Sequence, residues 1–100
     1  MIVMHAELPV DPDSHEEAVS LVTELAERSR QEPGVIEYRA ATDIEDGTTI
    51  RVLERYEDED ALEDHMASDH FGAFQSSVTG VLAGAPSLRR FDVERDVEVM

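Results

Sequence analysis

The chain has 100 residues, 41% of them hydrophobic, and carries 24 acidic against 8 basic side chains for a formal net charge of -16. That length gives one domain with a modest core, which favours burying a further face against a second copy. The charge excludes nucleic acid and anionic membranes as partners, and the absence of cysteine excludes disulfides, thiolate chemistry and cysteine metal sites.

Every basic residue is Arg. Dense Asp and Glu without Lys suits a halophilic protein kept soluble in a salt-rich interior, where self-repulsion is screened. The opening Met1–Glu7 lacks a basic n-region and turns polar early, and no apolar run reaches membrane-span length, so a cytoplasmic protein with no membrane partner is expected.

Ile2 to Leu8 reads as a strand ended by Pro9-Val10-Asp11-Pro12. A helix follows, capped by Asp13 or Ser14, with Ala18, Leu21, Val22, Leu25 and Ala26 on one stripe and Pro33-Gly34 as its stop. Val35 to Thr42 is a second strand and Thr48 to Tyr56 a third, with Asp46-Gly47 signalling a tight type I′ hairpin. Asp58 caps a short helix bearing Ala61, Leu62 and His65 on one face. Ser68 caps another, with Phe71, Phe74, Val78, Val81 and Leu82 inward. Gly84-Ala85-Pro86 breaks it, and Ser87 to Glu94 is a last strand. Residues 1–96 thus form one α+β domain of ferredoxin-like β-α-β-β-α-β order, an antiparallel sheet with helices on one face, and residues 97–100 are a short tail.

Alternation sorts the strands into two faces. One holds Ile2, Met4, Ala6, Leu8, Ile36, Tyr38, Ala40, Ile50, Val52, Phe91 and Val93 and should lie under the helices. Glu54 and Tyr56 share its parity, so a carboxylate and a phenol join an apolar layer. The other face holds His5, Glu7, Glu37, Arg39, Arg51, Leu53, Arg55, Arg90 and Asp92. It is either a set of exposed salt bridges or a homodimer interface of paired Arg and carboxylate groups.

Three stretches carry a family resemblance: Glu32-Pro33-Gly34-Val35-Ile36-Glu37-Tyr38, Glu54-Arg55-Tyr56-Glu57-Asp58 running on through Ala61-Leu62-Glu63-Asp64-His65, and Ser68-Asp69-His70-Phe71. In this order and spacing the chain resembles the antibiotic biosynthesis monooxygenase family over essentially its whole length. The resemblance implies two ferredoxin-like sheets closing into a dimeric α+β barrel, with a cavity between sheet and helices in each subunit. It also implies oxidation of electron-rich aromatics such as quinols by O₂ without metal or flavin, the protein supplying a dry pocket and removing a proton. Other relatives degrade haem or isomerise phosphorylated sugars, so the family alone leaves the chemistry open. The haem-degrading branch relies on Asn, Trp and His, and this sequence has no Asn or Trp.

His65, His70, Tyr38 and Glu54 fall on family motif positions, and Tyr56 stands where many relatives have Trp. His65 is read as the base with Glu54 orienting its ring, or the two as a structural bond between helix and strand. Tyr38 or Tyr56 is read as the hydrogen-bond donor to a substrate oxygen, Tyr38 alternatively satisfying a backbone group. His70 either lines the cavity mouth or covers the joint between the two short helices. Phe71 and Phe74 are core residues first and pocket wall second. His65, His70 and Asp69 do not make a recognised ligand spacing, so no metal is expected. Three functions follow: a cofactor-independent monooxygenase, a non-catalytic small-molecule binding dimer, or a proton-transfer isomerase. An isomerase of phosphorylated substrates would need an Arg or a helix N-terminus aimed into the cavity.

Overall fold

A computed structural model describes residues 1–100. In chain order the elements are β1 (Ile2–Pro9), α1 (His15–Ser29) after a 3₁₀ turn at Pro12–Ser14, β2 (Val35–Thr42), β3 (Thr49–Tyr56), α2 (Glu59–Met66), α3 (Asp69–Val78) and β4 (Ser87–Asp92). The strands pair antiparallel in the order β2-β3-β1-β4, the ferredoxin-like arrangement expected from the sequence. No helix is long and apolar enough to cross a membrane.

Period-two alternation on β1 buries Ile2, Met4, Ala6 and Leu8 beneath the helices. Across from them α1 buries Ala18, Val22, Leu25 and Ala26, one stripe of an otherwise polar helix. Each fully buried Val or Leu in this layer stabilises by about 1.5–3 kcal/mol. Val10 and Val81 close one end, where Asp11 N donates to Val81 O and Ala83 N to Pro9 O.

Local chemistry departs from the sequence expectations at four places. Asp11, not Asp13 or Ser14, makes the first side-chain cap, accepting from Asp13 N at 2.9 Å; Ser14 then precedes α1 with no cap bond of its own. Pro12, its φ already set for a helical start, moves the turn forward. The β2–β3 connection is not a two-residue turn, since residues 43–48 bridge the strands without positive φ. Asp43 and Asp46 build it instead, by accepting from Glu45 N, Asp46 N and Thr48 N.

On β2 a bulge between Val35 and Glu37 turns Val35 toward the core and leaves Ile36 exposed. On β4 the parity is reversed. Met4 pairs with Arg90 and Val3 with Phe91, so Leu88, Arg90 and Asp92 lie on the helix side, while Phe91 and Arg89 face outward. Arg90 is held there by two hydrogen bonds to Glu59 of α2. A one-residue register change flips every side chain of an edge strand.

Candidate active site

α2 and α3 are separated by a single break, and Ser68 makes it. Its Oγ donates to His65 O at 2.6 Å and accepts from Phe71 N, closing the end of one helix and starting the next. The break sets His65 in the last turn of α2 and His70 in the first turn of α3. Both rings turn toward the loop between α1 and β2. There Glu32 Oε2 lies 2.8 Å from His65 Nδ1 and 2.8 Å from His70 Nε2.

A carboxylate only accepts, so both of these ring nitrogens carry protons. The neutral His65 ring then has its bare nitrogen at Nε2. That atom is buried and has no hydrogen-bond partner. The ring is buried and held among aromatics, with centroids 5.0 Å from Phe71, 5.4 Å from Tyr38 and 5.5 Å from Tyr56.

His65 forms part of the wall of a cavity of about 340 Å³ between sheet and helices. Tyr38 and Glu54 line it from the sheet, Phe71, Phe74 and Val78 from α3, and Leu82 and Leu88 from the C-terminal segment. Of its 19 lining residues 13 are hydrophobic and none is Arg, so an apolar or aromatic guest is accommodated and a phosphate finds no cation.

Tyr38 and Glu54 thus stand with His65, as do Phe71 and Phe74. Burial holds the Tyr38 hydroxyl far above its usual range, with the carboxylates of Glu54 and Glu32 adding to the effect, so it stays a proton donor. Glu54 does not orient His65. Its Oε1 accepts from Tyr56 at 2.5 Å, and burial lifts its carboxyl above the ordinary range against the lowering effect of that bond. Tyr56, expected on the substrate side, is completely buried behind the cavity wall. His70 lines an outer groove with Glu24, Arg28 and Asp69 rather than the cavity.

Glu32 is the residue sequence reasoning missed. It lies 33 positions before His65, in the loop at the head of the Glu32–Tyr38 stretch, where only the Pro33-Gly34 stop and the strand after it were read. Only the packing of that loop beneath α2 shows the pairing.

A four-stranded antiparallel sheet whose helices cover an apolar cavity, with one buried imidazole in its wall, defines a small α+β ligand-cavity domain. The chain belongs to the antibiotic biosynthesis monooxygenase family, whose sequence model matches residues 1–77. It is 34% identical over 74 residues to YcnE of Bacillus subtilis, a protein named as a candidate monooxygenase, covering 74% of this chain and 78% of that one. A Caulobacter crescentus structure described as a candidate antibiotic biosynthesis monooxygenase superposes with a TM-score of 0.89 at 29% identity, covering 94% of this chain and 90% of that chain. Rv0793 of Mycobacterium tuberculosis shares the fold, with a TM-score of 0.91 at 20% identity over 97% and 98% of the two chains.

Proposed function

We propose that the chain is a cofactor-independent monooxygenase that oxidises a quinol-like or polyphenolic small molecule with O₂. The observation that carries this reading is the buried Nε2 of His65, which has no hydrogen-bond partner, on a residue that lines an apolar cavity and whose Nδ1 is held by Glu32. In this reading His65 is the base, Glu32 its positioning residue, and Tyr38 the donor to the substrate oxygen.

Nε2 takes the phenolic proton, and the dry walls keep the resulting anion electron-rich. The ring passes electrons to O₂ and forms a carbon–oxygen bond. Loss of water then leaves one oxygen atom on the ring as a carbonyl, the other departing in the water. A hydroquinone and O₂ thus yield a hydroxyquinone and water, with no external reductant.

The cavity wall without Arg supports this reading over isomerisation of a phosphorylated substrate. A homodimer completes it. Val3, Leu53 and Phe91 form an apolar strip on the uncovered sheet face, between His5, Arg39 and Arg51, and a second copy would cover them. The same reading takes the net charge of -16 as adaptation to a salt-rich cytoplasm.

Oxygen uptake in concentrated KCl with a panel of hydroquinols, wild type against His65→Ala, tests the proposal. Uptake that withstands chelators and is lost in the variant is expected. Ligand binding without uptake across the panel would overturn it in favour of a non-catalytic binding dimer.

A further inference from the structure

The same junction adds His70, which the oxidation chemistry does not use, to the His65–Glu32 pair. Two imidazole nitrogens from two helices, His65 Nδ1 and His70 Nε2, converge on one oxygen of one carboxylate, Glu32 Oε2, at 2.8 Å each. All three donor atoms lie within 4.8 Å of one another. We propose that Glu32, His65 and His70 form a binding site for one divalent transition-metal ion of the zinc class.

The donor types suit such an ion. Two neutral imidazoles and a carboxylate bind zinc through bonds of about 2.0–2.2 Å and leave further positions open for water. Tetrahedral zinc with bonds of about 2.1 Å separates neighbouring donor atoms by about 3.4 Å, so the oxygen and each nitrogen, now 2.8 Å apart, move apart by about 0.6 Å as the ion replaces the bridging protons.

The site is also accessible and braced. The His70 and Glu32 side chains are 20% and 16% exposed, whereas His65 is 2% exposed, so an ion enters from the outer groove and not through the cavity. Asp69 stands in that groove beside His70, while Glu24 there is paired with Arg28 at 3.2 Å. Glu32 is fixed through its backbone, its N–H donating to Ser29 O and its carbonyl accepting from Val35 N. His70 is fixed by the Ser68 cap of its helix.

Occupation would alter His65 in a defined way. A neutral imidazole bound through Nδ1 carries its proton on Nε2, so that atom would become a donor and lose its capacity to act as a base. The ion is therefore a switch on the function proposed above and not a participant in it, and its binding is measurable without any turnover.

Equilibrium dialysis of the metal-free chain against zinc chloride tests the site. Concentrated KCl suppresses weak binding to the acidic surface. Saturation at one ion per chain is expected, with His5→Ala and His15→Ala unchanged. Glu32→Gln and His70→Ala should each weaken binding by about 100-fold or more, beyond the 10- to 100-fold typical of losing an outer-shell partner. Circular dichroism checks the fold of each, and Glu32→Gln, nearly isosteric, covers the case in which His70→Ala unfolds. No saturable binding by the wild type, or equal binding by Glu32→Gln, would overturn the assignment and leave surface carboxylates as the only ligands.

Discussion

His65 Nδ1 lies 2.8 Å from Glu32 Oε2, and this single bond decides which nitrogen of the buried ring carries the proton. In Glu32→Ala the ring loses the acceptor that selects its tautomer. Turnover of a quinol should fall by about 10- to 100-fold with little change in KM, the size usual for an orienting partner. Glu32→Gln, which keeps one acceptor oxygen, should recover part of the loss. Oxygen-uptake kinetics read this directly, and an unchanged kcat in Glu32→Ala would remove Glu32 from the mechanism.

Tyr56 serves Glu54 and not the substrate. Tyr56→Phe leaves a buried carboxyl without its donor, at a cost of about 1–3 kcal/mol, visible as a lower midpoint in denaturant. KM for the substrate should be essentially unchanged. A large rise in KM with stability intact would instead return Tyr56 to the cavity.

Glu54 gives a pH dependence of defined sign. Burial raises its folded-state value above the ordinary 4.5, so its contribution to stability is fully present below that value and is lost as pH rises through the folded one. Glu54→Gln removes this titration while keeping an acceptor for Tyr56. Melting temperatures from about pH 4 to about pH 8 should show the wild type losing ground steadily to the variant. A wild type that gains on the variant as pH rises would reverse the assigned sign.

Gly34 is required by a close approach. A Cβ there would fall on the Cβ of Ala61 in α2 and 3.3 Å from its Cα, while Gly34 O is already committed to Glu57 N. Gly34→Ala should destabilise by about 1–3 kcal/mol through overpacking. Adding Ala61→Gly should restore part of this, and absence of any recovery in the double variant would show that the strain lies elsewhere. Chemical denaturation of the three variants measures both.

The uncovered sheet face carries Leu53 at 42% and Phe91 at 45% exposure. If a second copy covers it, the wild type sediments as a dimer and Leu53→Asp, which places a charge in that strip, as a monomer. A wild type that is monomeric at all concentrations would remove the dimer from the proposed function.

The sequence alone determined the order of elements and most of the face that each buries, because both are local. Periodicity on α1 and β1, the Asp58 and Ser68 caps and the Pro33-Gly34 stop all act within a few residues of themselves. The inward placement of His65, Tyr38 and Glu54 was legible in the same way. Where competing local signals met, pairing decided: the Val35–Glu37 bulge and the β4 register follow from what β3, β1 and Glu59 offer across the gap. The partner of His65 was likewise decided far along the chain, 33 positions away. Glu32, His65 and His70 come from a loop and two helices, and no period in the chain relates them. Their meeting is a property of how α2 and α3 pack over that loop, which only the tertiary structure establishes.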